Sequence, residues 1–137
     1  DAYWAMLALR PGCKAVATDV CVPISRLADA VGAANAKADE LGLIAPIVGH
    51  AGDGNFHASL LLDMDDAEEV ARAEEYISWL SSLAISMEGT CTGEHGIGQG
   101  KRPYLVSELG AAVDVMGTLK RALDPDNIMN PGKILPS

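Results

Sequence analysis

The apolar residues of this chain keep changing their spacing, and the order of the changes limits the folds open to it. "KAVATDVCV", Lys14 to Val22, is short and rich in β-branched residues, the mark of a strand. Pro23 suits the first turn of a helix, in which Ile24, Leu27, Val31, Ala34, Ala38 and Leu41 recur at helical spacing until Gly42 stops it. "LIAPIVGH" returns to a strand pattern, the turn pair Asp53-Gly54 reverses the chain, and "FHASLLL" resumes as a strand. Asp65 with Glu68 resembles a capping box ahead of a second helix carrying Ala67, Val70, Ala73, Ile77, Leu80 and Ala84. A short segment around Met87 to Cys91 supplies a fourth strand. Strand, helix, strand, strand, helix, strand is the ferredoxin-like split βαβ pattern. The expected class is therefore α+β, with an antiparallel sheet and its helices on one face.

A last helix is expected over Ala112, Met116, Leu119 and Leu123, with Lys120 and Arg121 placed favourably for its dipole. "LDPDNIMNPGKILPS" holds too many Pro, Asn and Gly to continue it, and should run over the surface. At 137 residues the chain has the size of one domain. Its opening, "DAYWAMLALR", reads as the middle of a helix, without Met or a targeting segment, so residues 1–137 are expected to be a piece of a longer protein.

Charge narrows the partners. A formal charge of -9 and a pI near 4.6 argue against nucleic acid, whose phosphates need clustered Lys and Arg. The longest apolar run, Leu41 to Val48, contains Gly42 and Pro46 and is far short of a membrane span. Cys13, Cys21 and Cys91 are odd in number and lack CxxC spacing, which fits small packed thiols in a reducing compartment.

The three histidines are not scattered. His50 and His57 bracket the glycine turn of "VGHAGDGNFHASL", and His95 follows Glu94 in a second glycine cluster, "TGEHGIGQGK". Imidazoles and a carboxylate are good ligands for divalent Zn, Mn or Fe, and strands can bring distant ligands together. His50, His57 and Glu94 form such a set, one that leaves coordination positions open as a catalytic metal requires. Spacing alone leaves a packing role for the histidines equally open. His95 is a candidate general base or a residue that orients a ligand. The second glycine cluster is not a phosphate loop: His95 and Arg102 stand where Walker A needs Gly and Ser or Thr, and Lys101 replaces the third glycine of the dinucleotide pattern. A helix-proximal cap is an equally open role for Asp19, and Asp53 is most simply explained by the turn.

Four ordered stretches, "TDVCVPISRL", "VGHAGDGNFH", "GTCTGEHGIGQGKR" and "LDPDNIMNPGKIL", resemble the C-terminal domain of FAD-linked oxidases of the vanillyl-alcohol oxidase type. Within that family they are most similar to the D-lactate dehydrogenase (cytochrome) branch and to glycolate oxidase FAD-linked subunits. The resemblance implies a cap over a flavin held by a separate N-terminal FAD domain. It also implies a divalent Zn or Mn on His50, His57 and Glu94, His95 as the substrate-side base, and Asn55, Asn130 and Lys133 near flavin or substrate. The implied reaction oxidises a small D-2-hydroxy acid, D-lactate first, and passes electrons to a cytochrome or electron-transfer protein. The implied location is bacterial cytoplasm, or mitochondria in a eukaryote. Relatives acting on D-2-hydroxyglutarate carry a lysine where Ala17 stands, which disfavours a longer dicarboxylic substrate. A substrate-carboxylate arginine of the family should precede Asp1, so the isolated piece is expected to be inactive and, through an exposed apolar docking face, prone to self-association. Two other classes fit the same residues: a free-standing metal-dependent hydrolase or oxygenase, and a non-catalytic interaction domain.

Overall fold

A computed structural model describes residues 2–136, which form two compact units, one ending at Gly93 and one starting at Glu94. The first contains helix α1 (Ala2–Ala8), strands β1 (Lys14–Ala17) and β2 (Val20–Cys21), helix α2 (Leu27–Glu40), strands β3 (Ile47–His50) and β4 (Asn55–Leu62), and helix α3 (Ala67–Ser86). The second contains α4 (Arg102–Leu109) and α5 (Ala112–Leu123).

β4 is the central strand and every pairing to it is antiparallel. β1 and β2 keep one register along it, Lys14 opposite Leu62 and Val20 opposite Phe56, so the strand expected from Lys14 to Val22 is real but is interrupted at Thr18 and Asp19. β3 pairs with β4 on its other side, Ile47 opposite Ala58 and His50 opposite Asn55. The expected fourth strand shrinks to a single bridge between Cys21 and Thr90. Its brevity follows from the end of α3, where Glu88 adopts a φ of 63° and the Gly89 amide donates back to the Ala84 carbonyl, leaving only Thr90 in line with the sheet edge. The resulting order still places the segment after α3 beside the first strand, as the split βαβ pattern demands.

Side chains alternate along β4. Phe56, Ala58, Leu60 and Leu62 enter a core shared with Ala30, Ala34 and Ala38 of α2 and with Tyr76, Leu80 and Ala84 of α3. The alanine stripe lets α2 approach closely, and the Tyr76 hydroxyl donates to the Ala34 carbonyl across that contact at 3.2 Å. Burial pushes the Tyr76 phenol up to about 12, which keeps it a donor at any ordinary pH. The true cap of α3 is Asp66, one residue beyond the expected Asp65, because only its carboxylate accepts from the Glu68 and Glu69 amides.

Glu69 opens a different connection. It is nearly fully buried and pairs with Arg10, whose Nη1 also donates to the Leu61 carbonyl at 2.8 Å. The hydrogen bond from Arg10 holds the Glu69 carboxyl below its ordinary value of 4.5. A carboxyl depressed in the folded state stabilises above its unfolded value, and that contribution fades as pH falls through the folded one. The Tm advantage of the native chain over Glu69→Gln should therefore narrow as pH drops below 4.5, measured by thermal melts across an acid series.

In the second unit, Leu105 and Val113 are buried, while Val106, Val115, Leu119, Leu123, Ile128 and Met129 are exposed. Asp124 ends α5 and gathers the tail: it pairs with Lys120 and accepts from the Ile128 and Met129 amides at 3.0 and 2.9 Å. No helix among the described residues is long and apolar enough to cross a membrane.

Candidate functional site

The face of β4 turned away from α2 and α3 is polar at its start. Asn55, His57 and Ser59 alternate with the core residues, and cross-strand pairing puts His50 beside Asn55 and Val48 beside His57 on that face. His50 and His57 are thus diagonal neighbours across the hairpin. Their rings stand 6.1 Å apart at 89°, and each offers a ring nitrogen within 4.8 Å of the other's.

The interruption between β1 and β2 orients His57. Thr18 donates its amide to the Ala58 carbonyl at 2.9 Å, as an antiparallel ladder requires. The return bond is diverted, for the Ala58 amide donates to the Thr18 hydroxyl at 2.9 Å rather than to the Thr18 carbonyl. That carbonyl instead receives His57 Nδ1 at 3.0 Å. With Nδ1 carrying the proton, Nε2 keeps its lone pair for a ligand role.

Asp19, only 1% exposed, lies behind the same ring with Oδ1 3.7 Å from His57 Nδ1. Asn55 Nδ2 donates to Asp19 Oδ1 at 2.8 Å and to the Val20 carbonyl at 2.9 Å, and the Thr92 hydroxyl donates to Asp19 Oδ2 at 3.1 Å. Asn55 Oδ1 is buried with no hydrogen-bond partner among the described residues. Gly93 closes over this group: a Cβ there would overlap the Asn55 amide, so the chain leaves the first unit through a contact only glycine permits. Asp19 is therefore not a helix cap but a buried carboxylate of the sheet.

Glu94 and His95 begin the second unit, half-exposed, with Glu94 Oε1 3.8 Å from His95 Nε2. Gly96 and Gly98 turn the loop at φ of 79° and 53°, and the Gly98 carbonyl accepts from the Ile134 amide at 2.7 Å, which ties the tail to the loop. Asn130 and Lys133 line a mainly apolar groove of about 490 Å³ with Met116, Leu119, Leu123 and Met129. The structure thus groups His50 with His57, Glu94 with His95, and Asn130 with Lys133, and buries Asn55 against Asp19. Thr18, Asp19 and Thr92 lie inside "TDVCVPISRL" and "GTCTGEHGIGQGKR", yet the sequence assigns them no part in the site; for Thr18 and Asp19 the one local signal is a Thr-Asp pair inside a strand-like run. All three cysteines are free thiols, with Cys91 buried.

This sheet, with its polar histidine-bearing face, is that of a known class: residues 1–134 match the family model of FAD linked oxidases, C-terminal domain, and the chain belongs to that family. It is 53% identical over 98% of its length to a probable mitochondrial D-lactate dehydrogenase of Danio rerio, covering 27% of that protein. It is 45% identical over 99% of its length to the mitochondrial D-lactate dehydrogenase [cytochrome] of Arabidopsis thaliana, covering 24% of it. Against the glycolate oxidase subunit GlcD of Bacillus subtilis it is 40% identical over 98% of its length, covering 28%. The chain spans about a quarter of the length of these relatives.

Proposed function

We propose that this chain is the substrate-side cap of a flavin-dependent dehydrogenase that oxidises a small D-2-hydroxy acid, D-lactate first, and that works joined to an FAD-binding portion. The observation that carries the reading is the pair of imidazoles on the open sheet face, one already donating from Nδ1 to Thr18 and so presenting Nε2. Supporting it are the family and the names of relatives, two of them D-lactate dehydrogenases.

The donor set fits a divalent ion such as Zn or Mn, because neutral imidazole and carboxylate suit both, and nitrogens within 4.8 Å can converge on one ion. His50 and His57 would hold it, with Glu94 as the third donor. When bound, the ion supplies Lewis acidity toward a substrate hydroxyl and the flavin supplies hydride acceptance. His95 would take the hydroxyl proton at its imidazole, with Glu94 Oε1 3.8 Å from its Nε2. Lys133 and Asn130 offer a cation and an amide for a carboxylate or for flavin. Asn55 serves the same site from beneath by holding Asp19. The exposed apolar groove of the second unit is the natural seat of the FAD-binding portion. Electrons would pass to a cytochrome, in mitochondria or in a bacterial cytoplasm.

D-Lactate-dependent dye reduction by the FAD-loaded protein carrying this domain should vanish on chelation and return with zinc or manganese. Activity untouched by chelation would remove the ion from the reading, and turnover of glycolate but not D-lactate would replace the substrate.

A further inference from the structure

We infer that Thr18 and the buried Asp19 are the positioning pair of His57: the Thr18 hydroxyl stands in for its own carbonyl in the sheet ladder so that the carbonyl can fix the His57 tautomer, with Asp19 behind the ring. The inference deepens the metal-site reading and rests on it for its consequence, though not for the tautomer itself.

Three observations converge. In a regular antiparallel pair, residues 18 and 58 would exchange two backbone bonds. Here one of the two ends on a side chain, and the carbonyl thereby released sits 3.0 Å from His57 Nδ1. A hydroxyl at this position costs the sheet nothing and gives the histidine an acceptor. Second, a carboxylate at 1% exposure is expensive to maintain. Asp19 accepts from the Asn55 amide and the Thr92 hydroxyl, and its Oδ1 stands 3.7 Å from His57 Nδ1. Third, Gly93 lets the chain close directly over this group, where any larger residue would displace the Asn55 amide. A purely architectural role asks for none of these: a valine at 18 would restore the backbone bond, and an asparagine at 19 could still meet Asn55 and Thr92 without a charge. The arrangement is that of a ligand histidine whose second nitrogen is anchored, which fixes the ring and its tautomer.

The test uses the whole chain in four forms: native, Thr18→Val, Thr18→Ser and Asp19→Asn. Long-range proton-nitrogen spectra taken without metal read the His57 tautomer, and competition with a chromophoric chelator reads zinc affinity. The native chain should show His57 with the proton on Nδ1. Thr18→Val should reclaim the carbonyl for Ala58, mix the tautomers and weaken zinc about tenfold, with Tm moved by no more than about 4 °C, while Thr18→Ser restores native behaviour. Asp19→Asn should weaken zinc by about 10- to 100-fold. A native His57 protonated at Nε2, or a folded Thr18→Val chain with native tautomer and native zinc affinity, overturns the inference. If the native chain binds no zinc while Thr18→Val still shifts the tautomer, the positioning stands and the metal reading falls.

Discussion

Gly54→Ala is expected to cost the first unit roughly 3 kcal/mol or more, enough to unfold much of it at physiological temperature. Gly54 sits at a φ of +73°, where a side chain is strained, and a Cβ there would run into the Val22 carbonyl. The obstacle is backbone and cannot swing aside. It is also tied in place, since the Val22 amide donates to the Gly54 carbonyl at 3.0 Å and so fastens the hairpin to the end of the β2 edge. Moving Val22 would disturb the adjacent pairing of Cys21 with Asn55, and with it the Asn55 to Asp19 bond. Gly52 is the internal control: it lies in the same turn, its added Cβ meets nothing within 4 Å, and no positive φ applies. Gly52→Ala should change stability by less than about 1 kcal/mol. Urea denaturation of both variants checks the contrast; equal losses would mean that the turn, rather than the close approach, sets the cost.

The elements that were legible in the sequence are those whose signal is a period. α2 and α3 announce themselves through apolar residues at helical spacing, and β4 through the strand-like run that resumes after the Asp53-Gly54 turn. The proximity of His50 and His57 follows from the short turn between them. What could not be read depends on partners far along the chain. The Thr18 hydroxyl meets the Ala58 amide 40 residues away, and Thr92 meets Asp19 73 residues away. A Thr-Asp pair before a helix looks locally like a cap, because nothing nearby reveals that it faces a histidine from another strand. α4 was illegible for the opposite reason: it buries only Leu105, so Arg102–Leu109 carries no apolar stripe to detect. The shortened fourth strand turns on the left-handed Glu88, a conformation that residue type does not forecast.

His57→Ala should remove most of the stabilisation that zinc gives the folded chain. An ion bound only by the native state adds RT ln(1 + [L]/Kd), about 2.7 kcal/mol when zinc is at 100 times its Kd. Losing one of the proposed three ligands should weaken binding by about 100-fold or more, since disturbing even an outer partner of a ligand histidine costs 10- to 100-fold. At the same zinc concentration the variant would then retain no more than about 0.4 kcal/mol. The native chain should accordingly gain several degrees in Tm with zinc and the variant almost none, by scanning fluorimetry with and without the metal. His57 is the more informative of the two histidines to replace. Its ring is partly buried, at 12% side-chain exposure, and its Nδ1 is anchored, whereas His50 is exposed and can move to accommodate a displaced ion. A zinc-dependent Tm shift that survives in His57→Ala would place the ion elsewhere on the chain; a shift lost in His57→Ala and largely kept in His50→Ala would make the anchored imidazole the residue around which the site is built.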